Sequence, residues 1–394
     1  MNRLDRYCKK MAACLLTAAA LMLTGAGGQT DSFAMPSSDP LKEQTQNLTS
    51  PGVIVVAEET QKAAEAAQAP EQQAQMSDQA AQASAVSDQA AQESAASGQT
   101  ASSAAVTAAF GEVTTPVTDS SSLFGPGRLT MLANHDTEAQ QLAVIIENGA
   151  GGLIVVDGGW RENADYVLNQ IKQKGGHVAA WLLTHPDSDH VGALAEILYN
   201  HSSEITIDGI YYSFLEDSWY REKDSSVADM VAYLKGAFAR VSPQILHGDI
   251  VSGQVIEAGP ARIQVLNQAY KTNSDFVNNS SVAYLVSLNG TNVVFLGDLA
   301  RAGGEMLMND HDLGALKCSI VQMAHHGQNG VTYEVYKALR PSICLWPTPQ
   351  WLWDNDSGAG PGSGSWLTQE TKNWMVRLGV KTYYCTKDGD QVIE

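Results

Sequence analysis

Basic residues are scarce in this sequence. Lysine and arginine together number 24, against 43 aspartates and glutamates, and the formal net charge is −19. Tight, nonspecific binding to duplex nucleic acid relies on basic surface, because phosphate contacts supply most of that affinity. The composition therefore argues against that class of function, although it does not exclude a local basic groove.

Cysteine is scarce as well, with five in the chain. Cys8 and Cys14 lie in the first apolar segment, and the others are Cys318, Cys344 and Cys385. Three cysteines can form at most one disulfide, and none of them belongs to a Cys-x-x-Cys pair. We interpret them as buried apolar residues and not as functional thiols.

Apolar runs long enough to span a bilayer, which takes ~20 residues, are also missing. The first 34 residues instead have the order of a secretory signal peptide: a basic start, an apolar run over Met11–Leu23, and small residues before Ala34. An uncleaved membrane anchor is the alternative. We predict a secreted or extracellular protein, with cell-envelope association through this segment as a further expectation and no obligate protein partner.

Residues 35–122 are rich in alanine, glutamine and serine, and the string Ser77–Gln82 recurs as Ser87–Gln92. Such a segment has too little apolar surface for burial to offset the conformational entropy lost on ordering. This composition favours a flexible low-complexity linker. An alanine-rich helix is the alternative, because alanine and glutamine favour helix. Residues 123–394 are then the folded domain.

Strand and helix patterns alternate from Leu123 onward, in two β-rich halves that are each flanked by helices. This order predicts an α/β (α+β) domain built as a four-layered αββα sandwich. Strands are predicted at Leu129–Ala133, Ala143–Glu147, Gly152–Val156, Val178–Leu183, Ile205–Phe214, Arg262–Asn267, Val282–Leu288, Asn292–Leu296, Ser319–Met323, Ser342–Leu345 and Lys381–Cys385. Helices are predicted at Arg161–Lys174, Val191–Tyr199, Ser225–Arg240, Gly303–His311, Thr332–Leu339 and Trp366–Leu378.

The densest chemical pattern is the segment Thr184–Gly192, which places His185, Asp187, Asp189 and His190 between a buried strand and a helix. Ligands bind at the carboxyl ends of strands in α/β folds. Imidazole and carboxylate together suit Zn²⁺, and also Mn²⁺ or Fe²⁺. A polar loop with an N-capping aspartate would explain one carboxylate but not two flanking histidines.

Two later strands also end in candidate ligands. Asp298 follows one of them, although a Gly-Asp pair alone is more often a turn. The pair His325-His326 follows the other, before Gly327. Side chains of adjacent residues tend to point apart, so we expect one histidine to bind metal, with His325 favoured, and the other to face either substrate or a residue that supports a ligand. An ordinary polar loop residue is the alternative for each. Upstream, Asp157 either orients a metal-binding histidine or is a turn residue.

Together these motifs resemble the metallo-β-lactamase superfamily over residues 124–394. The variant His-Pro-Asp-x-Asp-His, with Gly-Asp, His-His-Gly and the segment Asn278–Val282, is similar to the extracellular hydrolase domain of the DNA-uptake protein ComEC and its stand-alone relatives. The resemblance implies the metallo-β-lactamase fold and one or two Zn²⁺ or Mn²⁺ ions. It implies that the ligands are His185, Asp187, Asp189, His190, Asp298 and either His325 or His326. With His325 favoured as the ligand, we predict Asp189 and His326 as catalytic residues.

The chain departs from that family in the region Trp346–Trp366, where a late Gly-His-Pro is expected and no histidine occurs. Four tryptophans are found there instead: Trp346, Trp351, Trp353 and Trp366. They are predicted either to pack beneath a long loop or to form a stacking platform for sugars or bases.

The expected chemistry is hydrolysis by a water whose pKa a metal lowers from ~15.7 to about 7. Three hypotheses follow. The first is a phosphodiesterase or nuclease-like enzyme acting on a small molecule, nucleotide or nucleic acid. The second is a lactone, ester or amide hydrolase with the same metal centre. The third is a noncatalytic cell-wall or sugar-binding protein with a relic metal site.

Overall fold

The computed structural model describes residues 122–394. The signal peptide and the linker before residue 122 lie outside the described residues and stay predictions. Within residues 122–394, no helix has both the length and the apolar character needed to cross a membrane.

The first sheet is built mainly from the first half of the described chain. Its strand order is β15-β1-β2-β3-β4-β6-β7, with β5 paired to β4. Strands β1, β2 and β3 form an antiparallel meander, whereas β4 and β6 continue parallel to β3. The strands are β1 (Arg128–Met131), β2 (Ala143–Glu147), β3 (Leu153–Asp157), β4 (His177–Leu182), β5 (Thr206–Ile207), β6 (Ile210–Tyr211), β7 (Leu246–His247) and β15 (Gln391–Ile393).

The second sheet has the order β14-β13-β12-β11-β10-β9-β8. Its strands β8 to β11 are antiparallel, and β11 to β14 are parallel. The strands are β8 (Val255–Ala258), β9 (Ala261–Val265), β10 (Tyr284–Leu288), β11 (Thr291–Phe295), β12 (Ile320–Gln322), β13 (Ile343–Trp346) and β14 (Thr382–Cys385).

Helices cover the outer face of each sheet. They are α1 (Ala164–Gln173), α2 (Ser188–Asn200), α3 (Asp217–Lys223), α4 (Ser225–Phe238), α5 (Arg301–Asp310), α6 (Tyr333–Leu339), α7 (Gln350–Trp353) and α8 (Thr368–Arg377). Helices α1, α2 and α4 share a hydrophobic cluster with the first sheet, and α5, α6 and α8 share another with the second. The predicted four-layered αββα sandwich is confirmed.

The main core lies between the two sheets, where Ile154 and Leu182 of the first sheet belong to one cluster with Tyr284 and Phe295 of the second. Strand β3 is buried at every position. Because both faces of such a strand are covered, its sequence is a continuous apolar run and not an alternating one. This is why the central strands could be located from the sequence.

Some elements differ from the predictions. The predicted strand Ile205–Phe214 is two short strands, β5 and β6, separated at Asp208-Gly209. Strands β7, β8 and β15 and helices α3 and α7 were not predicted. Strand β15 has three residues at a sheet edge, and α3 has seven, of which only Tyr220 is buried. Elements this short carry too few apolar residues to show a periodicity.

The three cysteines of the domain, Cys318, Cys344 and Cys385, are free and buried, as predicted. Burial raises the pKa of the Cys318 and Cys385 thiols to about 12. These thiols therefore stay protonated at neutral pH and act as small apolar side chains.

Lys372 on α8 is a buried lysine whose ammonium donates to the Trp353 carbonyl oxygen at 2.7 Å. Burial lowers the pKa of Lys372 to about 8. Between about pH 8 and the ordinary lysine pKa of ~10.4, the unfolded chain binds more protons than the folded one, so stability contributed by this group rises with pH.

We therefore expect the free energy of unfolding of the wild type, relative to Lys372→Met, to increase by roughly 1–2 kcal/mol across that pH window, after allowance for partial solvent access. Urea unfolding at several pH values measures this difference. A difference that stays constant with pH would show that the lysine is not perturbed.

Candidate metal centre

The candidate ligands meet because the strands that precede them end at one edge of the sandwich. His185, Asp187, Asp189 and His190 follow β4, Asp298 follows β11, and His325-His326 follow β12. The Val282 amide donates to the Thr184 carbonyl oxygen at 2.8 Å and joins the two sheets at this edge. The sequence-predicted residues are therefore brought together from three separate segments.

Four donor atoms converge at the centre of this cluster. The Nε2 atom of His326 lies 3.1 Å from Oδ2 of Asp189 and 3.2 Å from Oδ2 of Asp298. The Nε2 atom of His190 lies 3.3 Å from the same Asp298 oxygen and 3.9 Å from Oδ2 of Asp189. Donors about 2.0–2.2 Å from a tetrahedral zinc are separated by roughly 3.3 Å, which is the spacing observed.

The hydrogen-bonding state of these atoms fits a cation. His190 Nε2, His326 Nε2 and Asp298 Oδ1 are buried and have no hydrogen-bond partner. Buried polar atoms in proteins are nearly always paired, so the two unpaired histidine nitrogens, which both lie within 3.3 Å of Asp298 Oδ2, indicate a further partner such as a metal ion. The short contacts between the histidines and Asp298 lack hydrogen-bond geometry, and we therefore interpret them as spacing between ligands.

Asp157 holds His190 in the orientation that metal binding needs. Its Oδ2 accepts a hydrogen bond from His190 Nδ1 at 2.7 Å and another from the Thr184 hydroxyl at 2.7 Å. Its Oδ1 accepts from the Thr184 amide at 2.8 Å. Proton placement on Nδ1 leaves the Nε2 lone pair of His190 free for a metal. Of the two interpretations of Asp157, the geometry favours the orienting role.

His326 is oriented from the backbone. Its Nδ1 lies 3.1 Å from the Pro347 carbonyl oxygen, to which it donates, so Nε2 again faces the cluster. His325 and His326 both adopt left-handed conformations, with φ of 51° and 54°, which are uncommon outside glycine. Gly327 also has positive φ, and a Cβ atom there would lie 2.4 Å from the Trp346 ring, so only glycine fits.

His325 lies at the periphery of the cluster, its Nε2 4.0 Å from Oδ2 of Asp298. The same nitrogen is 3.5 Å from the Asn278 amide nitrogen. The side chain of His325 is 19% exposed, against 1% for His326. The geometry therefore favours His326 as the ligand and His325 as the substrate-facing residue, the reverse of our preference from the sequence.

This assignment predicts different outcomes for the two alanine variants. His326→Ala should lose most of its bound metal because a donor atom is removed, whereas His325→Ala should keep the metal content of the wild type. Elemental analysis of the two purified proteins, loaded with zinc and desalted in parallel, makes the comparison. Metal loss in His325→Ala alone would restore the original assignment.

His185 and Asp187 extend the cluster on one side. His185 Nε2 lies 3.2 Å from Asp187 Oδ2. One donor atom each of His185, His190 and Asp298 also lies within 4.8 Å of the others. Asp187 is the N-cap position of α2, but its side chain makes no capping hydrogen bond. The capping interpretation therefore does not explain Asp187, and its carboxylate instead faces His185 as a second ligand would.

The charges within the cluster compensate one another. Burial alone would raise the pKa of Asp298, but the imidazoles of His190 and His326 hold it well below its usual range. Burial likewise opposes protonation of His326, but Asp298 and Asp189 raise its pKa to about 9. A divalent cation would take the place of the imidazole protons while the carboxylates stay ionised.

The loop that carries Asp298 is fixed by three polar residues, of which the sequence analysis missed Gln322. The Asp298 amide donates to the Ser281 hydroxyl at 3.0 Å. Gln322 is fully buried, accepts from the Leu296 amide and donates to the Gly297 carbonyl oxygen. The sequence did contain an indication of this role of Gln322, because a glutamine is unusual within an otherwise apolar strand such as Ser319–Met323. Asn279 accepts from the Ala300 and Gly303 amides and so anchors the start of α5.

The tryptophans of the region 346–366 fall into two pairs. Trp346 and Trp353 are buried in the core, as the packing interpretation predicts. Trp351 and Trp366 are half-buried, and their rings meet edge to face with centroids 5.0 Å apart. Only this second pair is accessible to a ligand.

Comparison with known proteins agrees with the fold. The sequence profile of the metallo-β-lactamase superfamily matches residues 136–258. The chain contains a metallo-β-lactamase superfamily domain. Members of that superfamily are mostly metal-dependent hydrolases. A search of curated proteins found no significant match.

Solved structures similar to this domain have low sequence identity. The metallo-β-lactamase fold protein YhfI from Bacillus subtilis is 12% identical over 68% of this chain and 100% of its own, with a TM-score of 0.42. The diiron β-hydroxylase CmlA from Streptomyces venezuelae is 11% identical over 68% of this chain and 54% of its own, with a TM-score of 0.40. Zn²⁺-bound PqqB from Methylobacterium extorquens is 12% identical over 50% of this chain and 71% of its own, with a TM-score of 0.32.

Proposed function

We propose that this protein is a metal-dependent hydrolase that cleaves phosphodiesters. The observation that carries the proposal is the convergence of Asp189, His190, Asp298 and His326, with the unpaired Nε2 atoms of His190 and His326 both beside Asp298 Oδ2. When bound there, a divalent cation would supply a water that is deprotonated near neutral pH and would stabilise negative charge on a substrate oxygen.

The residues divide into a closed set and an accessible set. The side chains of His190, His326 and Asp298 are at most 3% exposed, so they can hold a cation but cannot reach substrate. Asp189 is 12% exposed and Asp187 is 24% exposed. Solvent and substrate therefore approach from the side of Asp187, Asp189 and His325. Asp189 is the carboxylate placed to accept a proton from an attacking water.

The number and identity of the ions follow from the donor set. The first position has four donors, whereas a second one would rest on His185, Asp187 and the shared Asp298. Asn278 lies beside His325 at the periphery of the cluster, and an amide is a weaker ligand than imidazole. We propose one tightly held ion and one weakly held ion. Because carboxylate replaces imidazole at Asp187, Mn²⁺ should compete with Zn²⁺ better than it would at an all-histidine site.

The choice of phosphodiester over carbonyl substrates is supported by the sequence variant His-Pro-Asp-x-Asp-His with Gly-Asp and His-His-Gly, which resembles the ComEC-type domains. Turnover of bis-p-nitrophenyl phosphate, compared with a panel of lactones, esters and amides after reconstitution with Zn²⁺ or Mn²⁺, tests this choice. Turnover of the phosphodiester alone supports the proposal, and turnover of a carbonyl substrate alone contradicts it. A protein that binds no metal and hydrolyses nothing would be the noncatalytic alternative.

We propose that the enzyme acts outside the cytoplasm, supported by the basic start and apolar run of residues 1–34. Expression in a bacterial host followed by N-terminal sequencing of the extracellular protein tests this. A mature chain that begins near residue 35 in the medium supports export. An intact chain confined to the cytoplasm contradicts it.

A further inference from the structure

We propose that a pocket beside the metal centre binds the non-reacting part of the substrate through an uncharged, hydroxyl-bearing ring. The inference rests on the proposed hydrolysis for the identity of the substrate, but the pocket itself is independent of the metal ligands. It has a volume of about 210 Å³, and its lining includes Glu138, Gln141, Gln350, Trp351, Thr386 and Lys387.

The pocket lies along the same edge of the sandwich as the metal centre. The loop after β1 forms one wall, and the segments after β13 and β14 form the other. Strand β4, which leads to His185, is three positions from β1 in the first sheet, and β12, which leads to His326, is two positions from β14 in the second. Neighbouring strands lie about 4.8 Å apart, so these separations amount to about 10–15 Å, a distance that one small molecule can span.

Each wall is also tied to the metal centre by a hydrogen bond. The Leu142 amide, next to the lining residue Gln141, donates to the Asp189 carbonyl oxygen at 3.1 Å. The Pro347 carbonyl oxygen, in the segment that leads to Trp351, accepts from His326 Nδ1 at 3.1 Å. The positions of pocket and ligands are therefore coupled, as a binding site that places a scissile bond over a metal requires.

Trp351 provides a preorganised face for a ring. Its indole Nε1 donates to the Glu138 carbonyl oxygen at 2.7 Å, which links the two walls of the pocket. Its ring also packs edge to face with Trp366. The indole is half-buried and held from two sides, so stacking against it costs little conformational entropy.

The charges of the lining select against an anionic group. Lys387 is the one basic residue in the lining, and its ammonium already contacts the Asp388 carboxylate at 2.7 Å and 2.9 Å. Glu138 is exposed and brings a carboxylate to the rim. A carboxylate accepts hydrogen bonds from hydroxyl groups and repels phosphate. A sugar ring, either the ribose of a nucleoside or a hexose, has the required chemistry.

Kinetics with matched substrates test this proposal. Thymidine 5′-(p-nitrophenyl phosphate) carries a sugar ring that methyl p-nitrophenyl phosphate lacks. Trp351→Ala should raise KM for the thymidine ester by about tenfold or more, with kcat and the turnover of the methyl ester changed by less than about twofold. Trp351→Phe should restore most of the loss, because it keeps a stacking ring. Trp374→Ala, which removes another half-buried indole outside the pocket, is the control.

A binding measurement separates this proposal from the proposed function. Saturation-transfer NMR with thymidine and with methyl α-glucoside on metal-stripped protein should show binding to the wild type and loss of binding in Trp351→Ala. Thymidine alone would identify a nucleoside, and the glucoside alone a hexose. If the protein binds these ligands but turns over no phosphodiester, the proposed phosphodiesterase function is contradicted and the proposed ring-binding pocket is still supported. The proposal that the pocket binds a ring would be overturned if neither ligand binds the wild type, or if Trp351→Ala binds them as well as the wild type does.

Discussion

Replacement of Asp298 by alanine should remove the metal from this protein. Asp298 is the carboxylate shared by the donors of His190 and His326, and it is only 3% exposed. Loss of a residue that merely supports a ligand lowers metal affinity by about 10–100-fold, so loss of a ligand should cost more than ~100-fold. Activity should fall with the metal, because Asp189, His190 and His326 alone would leave one donor position around the ion unfilled.

Zinc binding is measured by isothermal titration calorimetry, and separately by thermal unfolding at increasing zinc concentrations. A ligand present at about 100 times its Kd stabilises the folded state by roughly 2.7 kcal/mol, so zinc should raise the Tm of the wild type and leave that of Asp298→Ala unchanged. Asp310→Ala is the matched control, because Asp310 is the last residue of α5, accepts from the Tyr270 hydroxyl and lies outside the cluster. If zinc raises the Tm of Asp298→Ala as much as it raises that of the wild type, Asp298 is not a metal ligand.

Asp157→Asn should weaken metal binding by about 10–100-fold while the fold is retained. Asparagine tolerates the left-handed conformation of residue 157, whose φ is 54°. With its amide oxygen kept on the Thr184 amide, the new NH₂ group would donate to His190 Nδ1. The imidazole would then carry its proton on Nε2, the atom that faces the cluster, and that nitrogen could not bind a metal.

Nitrogen-15 chemical shifts of the histidine rings identify the tautomer directly, and a parallel zinc titration gives the affinity. Thr184→Ser is the control, because it keeps the hydroxyl that donates to Asp157 and should bind zinc like the wild type. If Asp157→Asn binds zinc as tightly as the wild type, with the His190 proton still on Nδ1, Asp157 is only a turn residue.

The sequence was sufficient to locate the site because its ligands follow buried strands. Strands β3, β4, β11 and β12 are apolar runs, and the polar residue after each run marks the sheet edge. Parallel strands that end at one edge bring those residues together whatever their separation in the chain. The fold class, the cluster and its donor types could therefore be predicted.

The roles of His325 and His326 could not be predicted in the same way. Our preference for His325 assumed that the pair continues an extended strand, in which neighbouring side chains point to opposite faces. Both residues are instead left-handed, and the two ring centroids are 6.1 Å apart. What decides which ring enters the cluster is the close approach of Gly327 to Trp346, a tertiary contact that local sequence patterns do not encode.

The pocket also could not be predicted from the sequence. Four tryptophans in one segment allowed either core packing or a stacking platform, and the sequence does not show which of them stay accessible. Trp346 and Trp353 fill the core, whereas Trp351 is held at the surface by a residue 213 positions away, Glu138. Because that contact joins two sheets, it depends on the completed sandwich.

Anomalous diffraction from crystals grown with zinc and measured on both sides of the zinc absorption edge tests the central claim most directly. The arrangement described above predicts a strong anomalous peak between His190 Nε2, His326 Nε2 and the carboxylates of Asp189 and Asp298, with a weaker one near His185 and Asp187. A zinc-saturated crystal with no peak among these residues, or with its only peaks at surface histidines such as His177 or His201, would contradict it.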